Sequence, residues 1–427
     1  MPITTPTSDQ ILEAVEDGFA DQIRFLQDLV AIPSQRTEEM AAQDFYAKAC
    51  RARGYATEIW PIDLSLIEKH PGFSPVTVDY AQVFNVVASH RPRQEMGRSL
   101  ILNGHMDVVP TGPVEGWARP PYEPAIEGDW LYGRGAADMK AGLGANLAAL
   151  DALRRLGFQP AATVYVQCVS EEECTGNGAL ACVARGYQAD AAIIPEPVYE
   201  HVVRANTGAL WFQVKVSGRP VHVREAGTGA NAIEAAYRVM QALRSLEIEM
   251  NAEQGQYPHF ETLDHPINLN IGKICGGDWA SSVPAWCTFD CRLALYPGMK
   301  PDAIKARIEA AVATCARDDG YLSKAPPAIT WNGFSVEGYV LEPGSDAERA
   351  LERAHAASFG RELTNYVMPG YLDGRVFVLY QNIPCLVYGP LSRDIHGFDE
   401  AVSLSSLKRI TGAMALFIAD WCGLEPV

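Results

Sequence analysis

The chain has 427 residues, of which 48% are hydrophobic, so it is long enough for two domains and too apolar to be disordered. Its formal net charge of −17 argues against nucleic acid or an anionic membrane as the main partner. Residues 1–18 lack the pattern of a secretory signal, no stretch is apolar enough to span a membrane, and the ten cysteines form no Cys-x-x-Cys pair. We therefore expect a cytoplasmic protein with reduced thiols.

The first part of the chain alternates helices with strands. Apolar residues at helical spacing predict one helix over Ile11 to Val30 and another over Ala141 to Leu156. Buried strands are predicted to open at Ser99 and to cover residues 162–169 and 191–194. This alternation predicts a mostly parallel sheet with helices on both faces.

From residue 207 the pattern changes. Leu210 to Val216 alternates apolar with polar or amphipathic residues, which is typical of a half-buried strand. Further strands are predicted over 267–274, 287–295 and 328–331, and helices over 233–243 and 302–315. Two helices on one face of an antiparallel sheet would form a ferredoxin-like α+β domain.

The first pattern returns after residue 335. Two helices, over 347–358 and 404–422, flank a buried strand over 385–388. We therefore predict an α/β fold with a mixed, mostly parallel sheet, in which a first domain of residues 1–206 and 336–427 is interrupted by an inserted domain of residues 207–335.

Acidic and histidine residues follow several of the predicted strands. They are His105 and Asp107, the run Glu171-Glu172-Glu173, Glu196, and His396. Because ligands of an open α/β sheet bind beyond the carboxyl ends of its strands, these side chains are predicted to meet at one rim. Their nitrogen and oxygen atoms suit zinc, with cobalt or manganese as alternatives, and are numerous enough for two metal ions.

Two positions near this rim also have simpler interpretations. Residues i and i+2 of a strand project to one side, so Asp107 is predicted to hold the ring of His105, although a surface histidine beside a turn cap also fits. Asp138 lies in the stretch Gly133 to Lys140 and by itself is typical of a helix N-cap. That stretch does not predict a dinucleotide site, because its pattern is Gly-x-Gly-x-x-Asp and the third glycine is missing.

The three consecutive glutamates end a buried strand and precede Thr175-Gly176-Asn177-Gly178. By itself such a run is typical of a solvated acidic turn. In a metal site one glutamate would bind the ion while its neighbour takes a proton from water, and the residues alone do not assign the two roles. Nucleophilic mechanisms lack support, since there is no Gly-x-Ser-x-Gly elbow, no His-Glu-x-x-His helix and no cysteine with a catalytic signature.

Together these stretches resemble the M20 metallopeptidase family, in particular its acetylornithine deacetylase and succinyl-diaminopimelate desuccinylase branch. The resemblance covers nearly the whole chain. Its motifs, in family order, are Leu102 to Pro110, Gly133 to Lys140, Ser170 to Gly176, Pro195-Glu196-Pro197, and His396. It implies a catalytic domain of residues 1–206 and 336–427, and a lid and dimerisation domain of residues 207–335.

The resemblance also implies two zinc ions and their ligands. One ion is held by His105 and Glu196, and the other by Glu172 and His396. Asp138 bridges both ions and is followed by a cis peptide bond.

Catalytic roles follow from the same resemblance. Asp107 orients its histidine, Glu171 is the general base and acid, and Glu173 is a surface residue without a role. In the inserted domain, His222 matches a histidine that reaches an active site, often that of a partner subunit, and supports the oxyanion. Arg292 matches an arginine that holds a substrate carboxylate, although a plain surface arginine also fits.

A third motif departs from the family pattern. Asp373 and Arg375 match residues on the substrate side, but Leu372 stands where the family usually has threonine or serine. Ser281-Ser282 likewise stands where many relatives have asparagine before the Val-Pro pair. These departures put the substrate in doubt and leave the metal residues unchanged.

The resemblance therefore predicts a zinc-dependent amidohydrolase that removes an N-acyl group from an amino-acid-like substrate and acts as a homodimer. Glu196 favours this reading, because family members with glutamate there are mostly deacylases, whereas many with aspartate cleave peptides. The alternatives are a dipeptidase or carboxypeptidase on the same site, a deformylase or decarbamoylase of a non-amino-acid amide, and a zinc-binding relative without catalysis. The partners predicted are a small N-acyl compound and a second copy of the chain, with no nucleic acid and no membrane.

Overall fold

The computed structural model describes residues 5–427. The α-helices are α1 Ser8–Val30, α2 Met40–Ala52, α3 Leu64–Ile67, α4 Ala141–Arg155, α5 Asn177–Ala184, α6 Ala232–Ala252, α7 Pro301–Asp318, α8 Asp346–Phe359, α9 Gly374–Val376 and α10 Leu404–Cys422. The strands of the first half are β1 Ala56–Pro61, β2 Phe84–His90, β3 Leu100–His105, β4 Ala125–Glu127, β5 Trp130–Tyr132, β6 Phe158–Pro160, β7 Val164–Val169, β8 Ala191–Ile194, β9 Val202–Asn206 and β10 Gly208–Ser217. The later strands are β11 Leu269–Gly276, β12 Trp286–Leu295, β13 Ala328–Val336, β14 Tyr339–Val340, β15 Asn365–Met368, β16 Cys385–Val387, β17 Ser392–Arg393, β18 Ala401–Ser403 and β19 Leu424–Pro426.

The main sheet has the strand order β1-β2-β7-β3-β8-β16. Its strands from β7 to β16 run parallel, while β1 and β2 join antiparallel at one edge. Both central strands, β3 and β7, are buried along their whole length, as expected for strands covered on two faces. Helices α1, α4, α8 and α10 pack together over one face, and α5 contributes to a separate core on the other. The predicted mixed, mostly parallel sheet is confirmed.

The segment predicted to be an inserted domain, called the inserted domain below, contains an antiparallel sheet of order β11-β12-β10-β13. Phe212, Val214 and Val216 on β10 point into a core that they share with α6 and α7. Trp211 and Lys215 alternate with them and lie on the opposite face, because side chains of a strand alternate between faces. This is the predicted build of two helices on one face of an antiparallel sheet.

Three small sheets complete the surroundings of the main sheet. Strand β9 pairs with β14 and β15, β18 joins β17 to the hairpin of β4 and β5, and β19 pairs with β6. Helix α2 is amphipathic and packs on β1 and β2, and it is not among the helices predicted above. Within residues 5–427 no helix combines the length and the apolar character needed to cross a bilayer.

Candidate functional site

The candidate site lies where three neighbouring strands of the main sheet end. Strand β3 ends at His105, β7 ends at Val169 just before the three glutamates, and β8 ends at Ile194, two residues before Glu196. These strands are parallel and lie in the order β7-β3-β8, so their carboxyl ends share one edge. The predicted meeting of these segments at one rim is confirmed.

Asp138 lies between two histidines. Its Oδ1 is 3.1 Å from Nε2 of His105, and its Oδ2 is 3.4 Å from Nε2 of His396. Burial opposes ionisation of Asp138, yet hydrogen bonds with both histidines hold the pKa of this carboxyl below its usual range. The Asp138–Met139 peptide bond is cis, which confirms that expectation. Each carboxylate oxygen faces a different imidazole, as a bridging ligand requires.

The ring of His105 is buried and fixed through its Nδ1 atom. This nitrogen lies 2.8 Å from the backbone carbonyl oxygen of Asp107, whereas the nearest carboxylate oxygen of Asp107 is 3.7 Å away. The Asp107 carboxylate instead accepts the backbone N–H groups of Glu172 and Glu173, at 3.3 and 3.0 Å. Asp107 does hold the ring of His105, as predicted, but through its backbone carbonyl oxygen and not through its carboxylate. Strand β3 ends at His105, so the i, i+2 geometry of an extended strand no longer holds at Asp107.

Carboxylates surround Nε2 of His105. Beside Asp138, Oε1 of Glu196 lies at 3.6 Å and Oε2 of Glu172 at 3.9 Å. Burial disfavours a charged imidazole, but these carboxylates raise the pKa of His105 well above its usual value. Burial also raises the pKa of Glu172 and that of Glu196, with His105 acting in the opposite direction. Buried carboxylates this close together require compensating positive charge.

His396 contacts Glu173 and not Glu172. Its Nε2 is 3.1 Å from the Glu173 carboxylate, whose side chain is only 10% exposed. The Glu173 carboxylate is the main cause that raises the pKa of His396 to about 11. The predictions that Glu172 shares a site with His396 and that Glu173 is a surface residue without a role are wrong. Successive side chains of the turn after β7 point in different directions, Glu172 toward His105 and Glu173 toward His396.

Glu171 is fully buried, and its carboxylate is held by other protein groups. Arg36 donates through Nε at 2.5 Å and through Nη2 at 2.9 Å, Tyr80 donates its hydroxyl at 2.5 Å, and Thr175 donates its hydroxyl at 2.9 Å. Glu172 and Glu173 line the cleft described below, and Glu171 does not. The structure contradicts the prediction that Glu171 is the general base, because both of its oxygens are engaged in a buried ion pair.

A second buried carboxylate supports the Asp138 loop. Glu400 accepts the backbone N–H groups of Gly135, Ala137 and Asp138 at 2.9 to 3.0 Å. Arg134 donates to the same carboxylate at 2.6 Å, and both side chains are almost completely buried. Glu400 therefore fixes the backbone that presents Asp138 to the two histidines.

These ligand-type residues open into a cleft of about 440 Å³. Four acidic residues and His396 line it, the acidic ones being Asp138, Glu172, Glu173 and Glu196. Its remaining lining is Val109, Pro197, Val198, Trp211, Asn270, Arg292, Phe334, Met368, Gly370, Tyr371, Leu372 and Ile395. The structure thus brings Arg292 to the same cleft as the metal-type residues, as the sequence predicts, and adds an aromatic wall on the side of the inserted domain.

The third predicted motif lies outside this cleft. Arg375 is fully buried and donates to Gly72, Tyr371 and Tyr380. Asp373 is 2% exposed and accepts the Tyr371 hydroxyl at 2.7 Å. Burial raises the pKa of Asp373 to about 6. The prediction that Arg375 binds substrate is wrong, because its guanidinium donates to protein oxygens beneath the cleft. Asp373 does not line the cleft, and it accepts the hydroxyl of Tyr371, which does.

His222 lies on the exposed surface of the inserted domain. It caps a short helical turn, and its Nδ1 accepts the backbone N–H of Arg224 at 3.1 Å. It does not line the cleft of its own chain. The resemblance gives this histidine to a partner's site, and its role stays a prediction.

The donor set fits divalent metal ions. Ligand-type atoms of His105, Asp138 and Glu173 lie within 4.8 Å of one another, and Glu196 and His396 adjoin them. Nδ1 of His105 is positioned to donate to a backbone carbonyl, which leaves its Nε2 lone pair facing carboxylates. Cations between these groups would satisfy both the lone pair and the buried negative charge.

Several residues of the site have no local signal in the sequence. Arg36, Tyr80 and Glu400 reach the motifs from 91 to 266 positions away along the chain, so only the folded chain reveals them. Trp211 could have been noticed in the sequence. It is a large aromatic residue at a position of β10 where the alternating pattern otherwise places polar residues.

Three comparisons relate this chain to known proteins. The model of a family described as "Peptidase family M20/M25/M40" matches residues 101–420. The chain is 26% identical over 443 residues to the N-formyl-4-amino-5-aminomethyl-2-methylpyrimidine deformylase of Halalkalibacterium halodurans, covering 98% of each protein. It is 27% identical over 395 residues to the succinyl-diaminopimelate desuccinylase of Methylibium petroleiphilum, covering 90% of this chain and 93% of the relative. Among solved structures, the di-peptidase Dug1p from Saccharomyces cerevisiae superposes with a TM-score of 0.79 at 15% identity, over 97% of this chain and 98% of that one.

Proposed function

This chain belongs to peptidase family M20/M25/M40 and is a hydrolase of amide bonds, and we propose that it removes the acyl group from the nitrogen of a small N-acylated amine. The observation that carries this proposal is the position of Asp138 between His105 and His396 in the lining of the cleft. The deformylase relative aligns with 98% of the chain, so we place the formyl group first among the acyl groups.

The ligand assignment follows the contacts of the two histidines. His105 and Glu196 would hold one metal ion, and Glu173 and His396 the other, with Asp138 shared between them. We propose zinc, with cobalt or manganese as substitutes, because the set mixes imidazole and carboxylate ligands. When bound, the two ions supply Lewis acidity toward the amide carbonyl and toward a water molecule.

Glu172 is the residue to which we assign proton transfer. Its side chain lines the cleft, and within the described residues its one ion-pair neighbour is His105, 3.9 Å away. Its backbone N–H is anchored on Asp107, which fixes the carboxylate beside the ligands. Glu172 takes a proton from the attacking water and gives a proton to the leaving nitrogen.

In the proposed mechanism, the oxyanion is stabilised by His222 of a second copy of the chain. It is exposed and absent from its own cleft, so a homodimer would be needed to bring its imidazole to the oxyanion. A variant His222→Ala would then lose turnover, and mixing it with the Glu172→Gln variant would restore part of that turnover through mixed dimers.

A second candidate is the removal of an acyl group from an amino acid. Arg292 lines the cleft and suits a substrate carboxylate. This candidate differs from the first in the amine that is released, so one panel of substrates separates the two.

The test measures amine release by the zinc-loaded protein from formyl, acetyl and succinyl amides of one amine, together with N-acetyl amino acids and dipeptides. We expect hydrolysis of one acyl class, with formyl amides first. Glu172→Gln should lower kcat about 100- to 10,000-fold and keep two metal ions per chain by elemental analysis. Glu173→Gln should lose one metal ion. A Glu172→Gln variant with wild-type turnover, or a protein that cleaves only dipeptides, would overturn the proposal.

A further inference from the structure

The loop of residues 394–400, called the His396 loop below, has an unusual backbone. His396 adopts a φ of +64°, and Asp394 and Asp399 adopt +50° and +56°. Residues other than glycine seldom occupy this left-handed region, so they persist there only where the surrounding structure holds them. The side chain of His396 is 54% exposed, so burial does not fix the imidazole. Contacts made by the rest of the His396 loop must therefore place it.

The ring of Phe398 is the part of this loop that packs on a neighbouring segment. It lies edge-on to Trp117, with 6.2 Å between the ring centroids. A Cβ added at Gly116 would lie 2.6–2.8 Å from three atoms of the Phe398 ring, and a Cβ at Gly112 would lie 3.3 Å from it. The φ of Gly116 lies outside the left-handed region, so its backbone does not require glycine. Its missing side chain instead leaves space for the ring, and we call the space between Gly112, Gly116 and Trp117 the slot.

Two hydrogen bonds hold the backbone on either side of Phe398. The Asp399 carboxylate accepts the backbone N–H of Ala118 at 2.9 Å, which ties the loop to the segment that forms the slot. Arg134 donates through Nη2 to the carbonyl oxygen of Gly397 at 2.9 Å. Because Phe398 lies between these two anchors and two residues after the histidine, a change in its packing would move the backbone that carries the imidazole.

We propose that Phe398 is a positioning residue of the metal site, and that its ring in the slot holds His396 where it can share a metal ion with Glu173. This inference rests on the proposed function, which assigns these two residues as ligands. The ion assigned to His105 and Glu196 does not depend on the slot, because those ligands are carried by the ends of β3 and β8. Loss of the ring would therefore weaken one ion and spare the other.

The test uses two opposite changes to the slot. Phe398→Ala removes the ring, and Gly116→Ala keeps the ring but fills its space. Each protein is titrated with cobalt in competition with a chelator, and the visible absorption of the bound cobalt is followed. In both variants we expect the affinity for one ion to fall about 10- to 100-fold, the effect of losing a partner that orients a ligand, while the affinity for the other ion stays the same.

A double variant and a control make this test specific to the ring. Adding Gly116→Ala to Phe398→Ala should weaken cobalt binding no further, because the ring that the new Cβ would displace is already absent. Val114→Ala changes an exposed apolar residue that lies close to Gly116 in the same segment, and it should alter neither affinity. Two wild-type affinities in Phe398→Ala would overturn the inference. An equal loss of both ions with a lower Tm would also overturn it, since Phe398 would then stabilise the fold in general.

Hydrogen exchange of the metal-free protein separates this inference from the proposed function. We expect the His396 loop to exchange faster in Phe398→Ala than in the wild type, and β3 and β8 to exchange at the same rate in both. If the wild type binds fewer than two ions, the ligand assignment of the proposed function fails, and the exchange rate decides whether Phe398 holds the loop. A protein that binds two ions and hydrolyses no amide loses the proposed activity and keeps this role for Phe398. Equal exchange of the loop in the two proteins overturns the inference, whatever the number of ions bound.

Discussion

The buried ion pair between Arg36 and Glu171 gives the sharpest test of how the three glutamates divide their roles. The change Glu171→Gln keeps the size of the side chain but removes its charge. The Glu171 side chain is 0% exposed and that of Arg36 is 22% exposed, so the remaining guanidinium would lose its counter-ion in a largely desolvated position. The amide nitrogen of glutamine would also face donor groups of Arg36, Tyr80 or Thr175.

Removal of one partner of a buried ion pair lowers the free energy of unfolding by about 3–5 kcal/mol. Because Arg36 is partly exposed, we expect the low end of this range, about 3 kcal/mol. For a domain of about 300 residues, the unfolding entropy near 60 °C makes this a decrease in Tm of about 5 °C. Because the ion pair lies behind the cleft, we expect turnover at 25 °C to stay within about tenfold of the wild-type value. The assay is thermal unfolding of the metal-loaded protein, with amide hydrolysis measured on the same sample.

The control is the double variant Arg36→Met with Glu171→Met, which removes both charges and should recover most of the lost stability. The reasoning would be refuted by a Glu171→Gln protein with the wild-type Tm and a loss of turnover of about 1,000-fold or more. That result would make Glu171 the proton carrier and the ion pair a feature of the resting protein only.

Three other changes have defined outcomes. Glu400→Gln removes the charge that holds the Asp138 loop, and we expect metal affinity to fall about 10- to 100-fold in a competition titration with a chelator. Gly176→Ala places a Cβ at a φ of +69°, where it would lie 1.9 Å from the Tyr371 hydroxyl oxygen, and should destabilise the protein by at least about 1–3 kcal/mol in urea unfolding. Burial, with the nearby charge of Arg361, lowers the pKa of His355 to about 4. The folded state then binds fewer protons than the unfolded state between about pH 6.5 and 4, so this contribution is complete above pH 6.5 and is lost as the pH falls, up to about 3 kcal/mol. His355→Gln should flatten that part of the pH profile of the urea midpoint.

Local patterns were sufficient for most of the elements. Helix α10 and strand β8 have the predicted limits, and α1, α4 and α8 differ from the prediction by a few residues at their ends. These elements are set by apolar periodicity, which depends on neighbours in the sequence. Helix α2 is short and buries Gln43 as well as apolar residues, so its apolar stripe is weaker.

The metal-type residues were also accessible from the sequence. His105, Asp138, Glu196 and His396 stand in motifs whose order along the chain resembles one family, and parallel strands bring the segments before three of them to one edge. The sequence by itself therefore determined the class of site, its position beyond the carboxyl ends of the strands, and four of the five proposed ligands.

Only the tertiary structure distinguishes the surroundings of residues of the same type. Three adjacent glutamates are chemically identical in the sequence, and they differ in the fold because Arg36 and Tyr80, 135 and 91 positions away, neutralise and enclose Glu171, while Glu172 and Glu173 are left to face the cleft. The same holds for the two arginines, since Arg292 reaches the cleft and Arg375 is enclosed beneath it. The protonation, the partners and the accessibility of an ionisable side chain depend on groups that only folding brings within a few ångströms, and for that reason they cannot be read from its place in the chain.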